Sequence, residues 1–96
     1  MVSHAQCVIN AGYSALKTKI HYFDATGGTG YFPCFGSEPG APELHLSPSM
    51  FKNIVDQMSL LRDAVDDELD LILDLNSNFK ADGIIRIANA LRDLNI

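Results

Sequence analysis

The chain has no tryptophan, and its two cysteines, Cys7 and Cys34, lie far apart. This is neither the paired spacing of a zinc or redox site nor the cysteine density of a small secreted protein, so we expect both thiols to be reduced. Apolar runs are far shorter than the ~20 residues of a membrane-spanning helix. No basic segment followed by an apolar core marks a signal peptide. These absences predict a cytoplasmic protein with no membrane partner.

Basic residues are scarce as well. Seven Lys and Arg stand against twelve Asp and Glu, a net charge of -5, which leaves no basic stripe for binding nucleic acid. The 47% hydrophobic content is ordinary for a folded globular protein. A closed (β/α)8 barrel takes ~250 residues, so 96 residues make either one small domain or part of a larger one.

The spacing of apolar residues predicts the order helix, strand, long loop, helix, strand, helix. The first helix covers residues 4–10 and ends at Gly12, a position suited to a left-handed C-terminal cap. The first strand covers residues 15–23. Residues 24–46 contain five of the seven glycines and three of the four prolines, which is typical of a long loop or lid over a site.

A second helix begins at Ser47 and Pro48, an N-cap followed by proline in the first turn. Apolar residues recur along it at three- and four-residue spacing as far as Val65, which predicts packing against a sheet: Met50, Phe51, Ile54, Val55, Met58, Leu61 and Val65. The final helix has the same pattern at Ile84, Ile87, Ala88, Leu91 and Leu94. Gly83 should lower its intrinsic stability by ~1 kcal/mol relative to alanine.

The second strand, residues 69–76, ends in a carboxylate and a carboxamide. Because side chains alternate along a strand, Asp74 and Asn76 are predicted to share one face while Leu71, Leu73 and Leu75 face the helices. The carboxyl ends of parallel strands form the rim where α/β enzymes bind ligands. Asp74 and Asn76 are therefore candidate metal or substrate ligands, with a simple strand-end cap as the alternative.

Lys17 and Lys19 share one face of the first strand, and His21 lies in register with them. They could line a binding site, or they could be solvated side chains that protect an exposed strand edge. The glycines of 27–30 lack the Gly-Lys-Ser/Thr and the following helix of a phosphate loop. Glu43 and His45 form only a weak two-ligand metal pattern.

Two strands, each followed by a helix, form a βαβα unit with open sheet edges. Such a unit buries little on its own, so we expect residues 1–96 to be a single partial domain, a piece of something larger.

Four segments in order resemble the start of the barrel domain in the mandelate racemase and muconate lactonizing branch of the enolase superfamily. They are Gly12 to Lys19, Leu61 to Val65, Asp70 to Asn76 and Ile87 to Leu91, and the stretch that contains them is about four fifths of the chain. The resemblance implies that residues 1–96 are the incomplete βαβα portion of a TIM-like (β/α) barrel. The loop at 24–46 is longer than the short connection expected there, and Ser77-Asn78-Phe79 departs from the usual turn.

The resemblance implies a base, Lys19, that removes the proton α to a substrate carboxylate, and Lys17 as a neighbouring cation that favours its neutral amine. It implies Asp74 as a ligand of an essential Mg²⁺ and Asn76 as a substrate contact, and His21 is a further candidate contact. The metal would stabilise the enediolate formed on deprotonation.

The expected function is therefore that of part of a magnesium-dependent lyase or isomerase whose substrate is a small carboxylic acid. A sugar-acid dehydratase or a hydroxy-acid racemase or epimerase fits this description, in a homo-oligomeric parent protein. The 96-residue chain alone should be inactive, because one carboxylate does not hold Mg²⁺ tightly. The alternative is a non-catalytic α/β remnant that associates through its open sheet edges.

Overall fold

The computed structural model describes residues 1–24, 27–30 and 45–96, which form a small mixed α/β domain. Its elements, in chain order, are α1 (Val2–Asn10), β1 (Ala15–Lys19), β2 (His21–Asp24), β3 (Gly27–Gly30), α2 (Pro48–Val65), β4 (Asp70–Asp74) and α3 (Ala81–Leu91), followed by a 3-10 turn at Arg92–Leu94.

Strands β1 and β4 lie parallel, joined through α2, as the βαβ prediction requires. Their register runs from Ala15 opposite Asp70 to Lys19 opposite Asp74. The parallel pair of strands is thereby confirmed. That this pair belongs to a TIM-like barrel stays a prediction.

The single strand predicted at 15–23 is wrong, because the chain leaves β4 after Lys19 and residues 21–24 pair instead with β3 in an antiparallel hairpin. The loop predicted at 24–46 is wrong at Gly27–Gly30, which forms β3. Glycine is unfavourable in a central strand, but a short hairpin strand tolerates it. Residues 25–26 and 31–44, including Cys34 and Glu43, lie outside the described residues, and so does most of the predicted lid.

Helix α2 supplies more of the core than any other element, as its apolar stripe predicts. Met50, Ile54, Met58, Leu61 and Val65 are all buried. They pack with residues from the other elements, chiefly Ala5, Ile20, Leu69, Leu71, Phe79, Ile87 and Leu91. The helix thereby covers the side of the sheet that carries Leu71. The opposite side carries Lys17, Lys19 and Asp74, together with the exposed Ile72.

Two predicted helix ends are confirmed. Gly12 has φ +87, and the amides of Gly12 and Tyr13 bond to the carbonyls of Ile9 at 2.9 Å and Val8 at 3.2 Å. This is the Schellman arrangement, which needs a left-handed residue after the helix. At the start of α2, the Ser47 Oγ accepts a 3.1 Å hydrogen bond from the backbone N–H of Met50.

The predicted apolar face of α3 is only partly correct. Ile87 and Leu91 are buried, but Ile84 is 41% exposed. Gly83 is buried instead, and a Cβ placed there would lie 3.3 Å from the Leu46 Cβ and 3.4 Å from the Phe79 Cβ. The absence of a side chain at Gly83 therefore allows Leu46 and Phe79 to pack closely against α3. This packing gives a reason for a glycine at a position where its helix propensity is unfavourable.

The guanidinium of Arg62 joins the end of α2 to two other parts of the chain. Its Nη1 donates to the carbonyls of Asp66 at 2.6 Å and Leu69 at 2.9 Å. Its Nε and Nη2 donate to the carbonyls of Leu94 at 2.8 Å and Asn95 at 3.0 Å. The start of β4 and the C-terminal turn are thus held by one side chain.

Among the described residues, no helix has the combination of length and apolarity that crossing a membrane requires.

Candidate functional site

A cavity of about 670 Å³ lies beside the carboxyl ends of β1 and β4. We call it the strand-end cavity. All five predicted site residues line it: Lys17, Lys19, His21, Asp74 and Asn76. The other lining residues are Met1, His4 of α1, Leu16 and Thr18 of β1, and Leu61 of α2. Its size suits a small organic molecule.

Two facts bring the lysines and the carboxylate together. Lys17 and Lys19 lie two positions apart on β1 and so share a face of the sheet. The parallel register sets Lys19 directly opposite Asp74. Residues 55 positions apart in sequence therefore meet at one strand end because of the pairing between β1 and β4.

The Nζ of Lys17 donates to Oδ2 of Asp74 across 3.1 Å. The two side chains are 64% and 39% exposed, so water screens this ion pair and its contribution to stability is small. In this arrangement the Lys17 ammonium contacts the carboxylate, whereas the sequence predicts a role for it beside Lys19.

Asn76 reaches the cavity by a different route from the one predicted. Strand β4 ends at Asp74, and Asn76 has φ +54, so alternation along a strand does not place its side chain. Instead, its backbone N–H donates to Oδ1 of Asp74 at 2.9 Å. Asp side chains commonly accept a hydrogen bond from the backbone N–H two residues further on. Here that hydrogen bond holds the Asp74 carboxylate at the strand end.

The electrostatics of the cavity favour an anion. The ammonium groups of Lys17 and Lys19 line it, against the single carboxylate of Asp74, in a chain whose net charge is -5. The imidazoles of His4 and His21 also line it. Partial burial, followed by the positive charge of Lys19, lowers the pKa of His21 below its ordinary value of 6.5. The imidazole of His21 is therefore neutral at pH 7. His4 is the residue that sequence reasoning missed, because a lone histidine on a helix gives no signal of its own.

The backbone at the end of β1 is fixed by two side-chain amides of α2. Gln57 donates from Nε2 to the carbonyl of Lys19 at 2.8 Å and accepts at Oε1 from the N–H of His21 at 2.9 Å. Asn53 donates from Nδ2 to the carbonyl of His21 at 2.7 Å. We call this pair the amide clamp. It encloses Ile20, which is fully buried.

The turn after β4 has unusual backbone geometry. Asn76, Ser77 and Phe79 have φ of 54°, 61° and 70°, and such conformations cost a non-glycine residue roughly 1–3 kcal/mol each. Asn78, between them, is 1% exposed, and its amide atoms have no hydrogen-bond partner in the described part of the chain. Strained and unsatisfied groups are thus concentrated next to the carboxylate.

The described residues do not make a magnesium site by themselves. No group of three or more His, Cys, Asp or Glu side chains suited to a metal occurs among them. Asp74 offers one carboxylate, and the ammonium of Lys17 already lies on it. Mg²⁺ needs an octahedral set of oxygen ligands. Of the weak pair Glu43 and His45, only His45 is described, and it is exposed.

Neither a protein-family model, nor a curated protein, nor a solved structure matches this chain.

The titration of Asp74 provides a test of this geometry. The Asn76 N–H and, after it, the Lys17 ammonium hold the pKa of Asp74 below its ordinary value of 3.8. Because the folded pKa is the lower one, any stability that depends on this charge is fully present above pH 3.8 and is lost as the pH falls through the folded pKa. In Lys17→Met we expect the pKa to rise but to stay below 3.8, because the backbone N–H remains.

Carboxyl NMR titration measures this shift. Lys52→Met is the matched control, since Lys52 pairs with Asp56 on α2 and should leave Asp74 unchanged. A wild-type midpoint at or above 3.8 would contradict the hydrogen bonding described here.

Proposed function

We propose that this chain supplies the base side of an active site that removes the proton α to a carboxylate, as part of a larger magnesium-dependent lyase or isomerase. The substrates would be sugar acids or hydroxy acids. The observation that supports this proposal is the convergence of Lys17, Lys19, His21, Asp74 and Asn76 on one cavity at the carboxyl ends of two parallel strands.

The proposal gives each side chain a role that is compatible with its position. Lys19 is the base, and its place opposite Asp74 sets it at the sheet end where α/β enzymes bind ligands. The Lys17 ammonium attracts the substrate carboxylate. His21, a neutral imidazole, donates or accepts a hydrogen bond to a substrate hydroxyl, and Asn76 contacts the substrate while its N–H orients Asp74.

Magnesium belongs to the proposed larger enzyme. When bound, it would stabilise the negative charge that develops on the substrate carboxylate. Asp74 would be one of its ligands, and the others would come from carboxylates beyond the described residues. Because the described residues do not complete such a site, we assign no step of this chain's chemistry to the metal.

The first test is the intact mass of the native gene product, together with the gene sequence past both ends. A closed barrel needs ~250 residues, so we expect a mass several times 10.5 kDa and further strand-end acids at intervals of one βα unit. In that protein, with Mg²⁺, NMR should detect exchange of the α-proton of hydroxy acids or sugar acids with D2O.

Lys19→Met should lower that exchange rate by ~10²-fold or more, because a positioned general base contributes about this much. Lys52→Met, an exposed lysine on α2, is the matched control and should leave the rate unchanged. Equal rates for wild type and Lys19→Met would rule out Lys19 as the base. The 96-residue chain alone should show neither exchange nor specific Mg²⁺ binding.

The alternative function is a non-catalytic association module. An apolar cavity of about 190 Å³ lies between β4 and α3 and is lined by Leu73, Leu75, Ile84, Ile87, Ala88, Leu91 and Ile96. Elsewhere on these two elements, Ile72 of β4 and Ile85 of α3 are 49% and 59% exposed. A native mass of 10.5 kDa, with self-association and no α-proton exchange, would favour this alternative.

A further inference from the structure

The amide clamp lies directly behind two residues of the strand-end cavity, and its geometry imitates a strand. A residue in a parallel ladder donates its N–H to one carbonyl of the neighbouring strand and accepts, at its own carbonyl, the N–H found two residues further on. The carboxamide of Gln57 does the same with the carbonyl of Lys19 and the N–H of His21. It therefore takes the place of a strand residue opposite Ile20.

This imitation occurs where the real ladder stops. The pairing of β1 with β4 ends at Lys19, and the chain then turns into β2. Gln57 is 2% exposed, so both of its hydrogen bonds are shielded from water and stronger than surface ones. Asn53, one helical turn before it, fixes the carbonyl of His21.

The clamp also fixes side-chain directions. It holds Ile20 in the core, at 0% exposure, and neighbouring side chains of an extended segment point to opposite sides. Lys19 and His21 must then point away from the core together, and both line the strand-end cavity.

We propose that Gln57, assisted by Asn53, is a positioning residue of the candidate site that aims the side chains of Lys19 and His21 into the strand-end cavity. The catalytic meaning of this inference rests on the proposed function, but its structural content does not. Gln57 touches neither the cavity nor a reacting group, and it acts through the backbone of the strand end.

The test is Gln57→Leu, which keeps a buried side chain of roughly similar volume and removes both hydrogen bonds. NMR can follow the imidazole titration of His21. We expect the pKa of His21 to move upward toward 6.5, since the ring loses its partial burial and, after that, its place beside Lys19. The amide proton of His21 should exchange about tenfold faster relative to that of Ile54, because its acceptor is gone.

Met58→Ala is the matched control. Met58 follows Gln57 in α2 and is fully buried, so its loss destabilises the domain without breaking the clamp. It should leave both the His21 titration and the exchange ratio at wild-type values. Asn53→Ala, which removes one donor, should shift both in the same direction by a smaller factor, and it serves as the readout if Gln57→Leu does not fold.

Unchanged His21 titration and exchange in Gln57→Leu, or equal changes in Met58→Ala, would overturn the proposal. Neither measurement needs substrate or metal. A failure of α-proton exchange in the native protein would therefore leave this result standing, and a failure of the clamp would leave Lys19 as a candidate base.

Discussion

Replacing Arg62 with alanine is expected to lower the free energy of unfolding by about 3 kcal/mol, as loss of several charge-assisted hydrogen bonds does. The guanidinium donates to the carbonyls of Asp66, Leu69, Leu94 and Asn95. Those at Leu69 and Leu94 are partly buried, and without Arg62 they lose a partner that water cannot fully replace. For a small domain with ~5–15 kcal/mol of stability this is a large fraction.

Urea unfolding followed by circular dichroism measures the change. Arg62→Lys should lose most of the same stability, since a single ammonium does not span acceptors on separate segments. Arg92→Ala is the matched control, because Arg92 is exposed and its guanidinium makes one 3.3 Å hydrogen bond to Asn89. If Arg62→Ala and Arg92→Ala unfold at the same urea concentration, the guanidinium does not hold these segments together.

Replacing Leu61 with alanine should cost a similar amount, about 3 kcal/mol, because truncating a fully buried leucine loses transfer free energy and leaves a void. Leu61 is 0% exposed to solvent, packs in the core and also lies at the wall of the strand-end cavity. The variant should therefore unfold more easily and also enlarge the cavity on the side of α2.

Leu60→Ala provides the comparison within the same helix. Leu60 is 49% exposed, so the same change of residue type should shift stability by no more than ~0.5 kcal/mol. Thermal or urea unfolding of the two variants side by side measures the difference. Equal stability losses would mean that Leu61 is not the buried member of the pair, and the position of α2 on the sheet would then be wrong.

Local sequence signals were sufficient for α2 and for the end of α1. Ser47, Pro48 and the apolar stripe define α2, and Gly12 marks a left-handed cap, because each signal depends on neighbours within one or two turns. The parallel pairing of β1 and β4 also follows from the order of elements, since a helix between two strands favours a crossover.

Features that depend on distant partners could not be predicted in the same way. The backbone around the break at Ile20 is hydrogen-bonded by Gln57 and Asn53, which lie more than thirty residues away and look like ordinary polar positions on a helix. Arg62 likewise resembles a solvated side chain in sequence. The exposure of Ile84 and the burial of Gly83 depend on how Leu46 and Phe79 pack against α3.

The candidate site shows the same division. Alternation along β1 correctly grouped Lys17 and Lys19 on one face. The position of Asn76 depended on a turn with positive φ, which no alternating pattern encodes. The ion pair between Lys17 and Asp74 depended on side-chain reach across the strand pair.

The register of β1 and β4 limits how this chain can vary. Lys19 and Asp74 are paired in the register, and their side chains share one face because side chains alternate between the two faces along each strand. One residue inserted within β4 would turn Asp74 toward the core and a leucine toward the cavity in a single event. A substitution in this strand changes one side chain and leaves the others on their faces. Insertion or deletion of one codon moves every following side chain of the strand to the opposite face. Related genes should therefore differ in residue identity along β4 and keep the same number of residues.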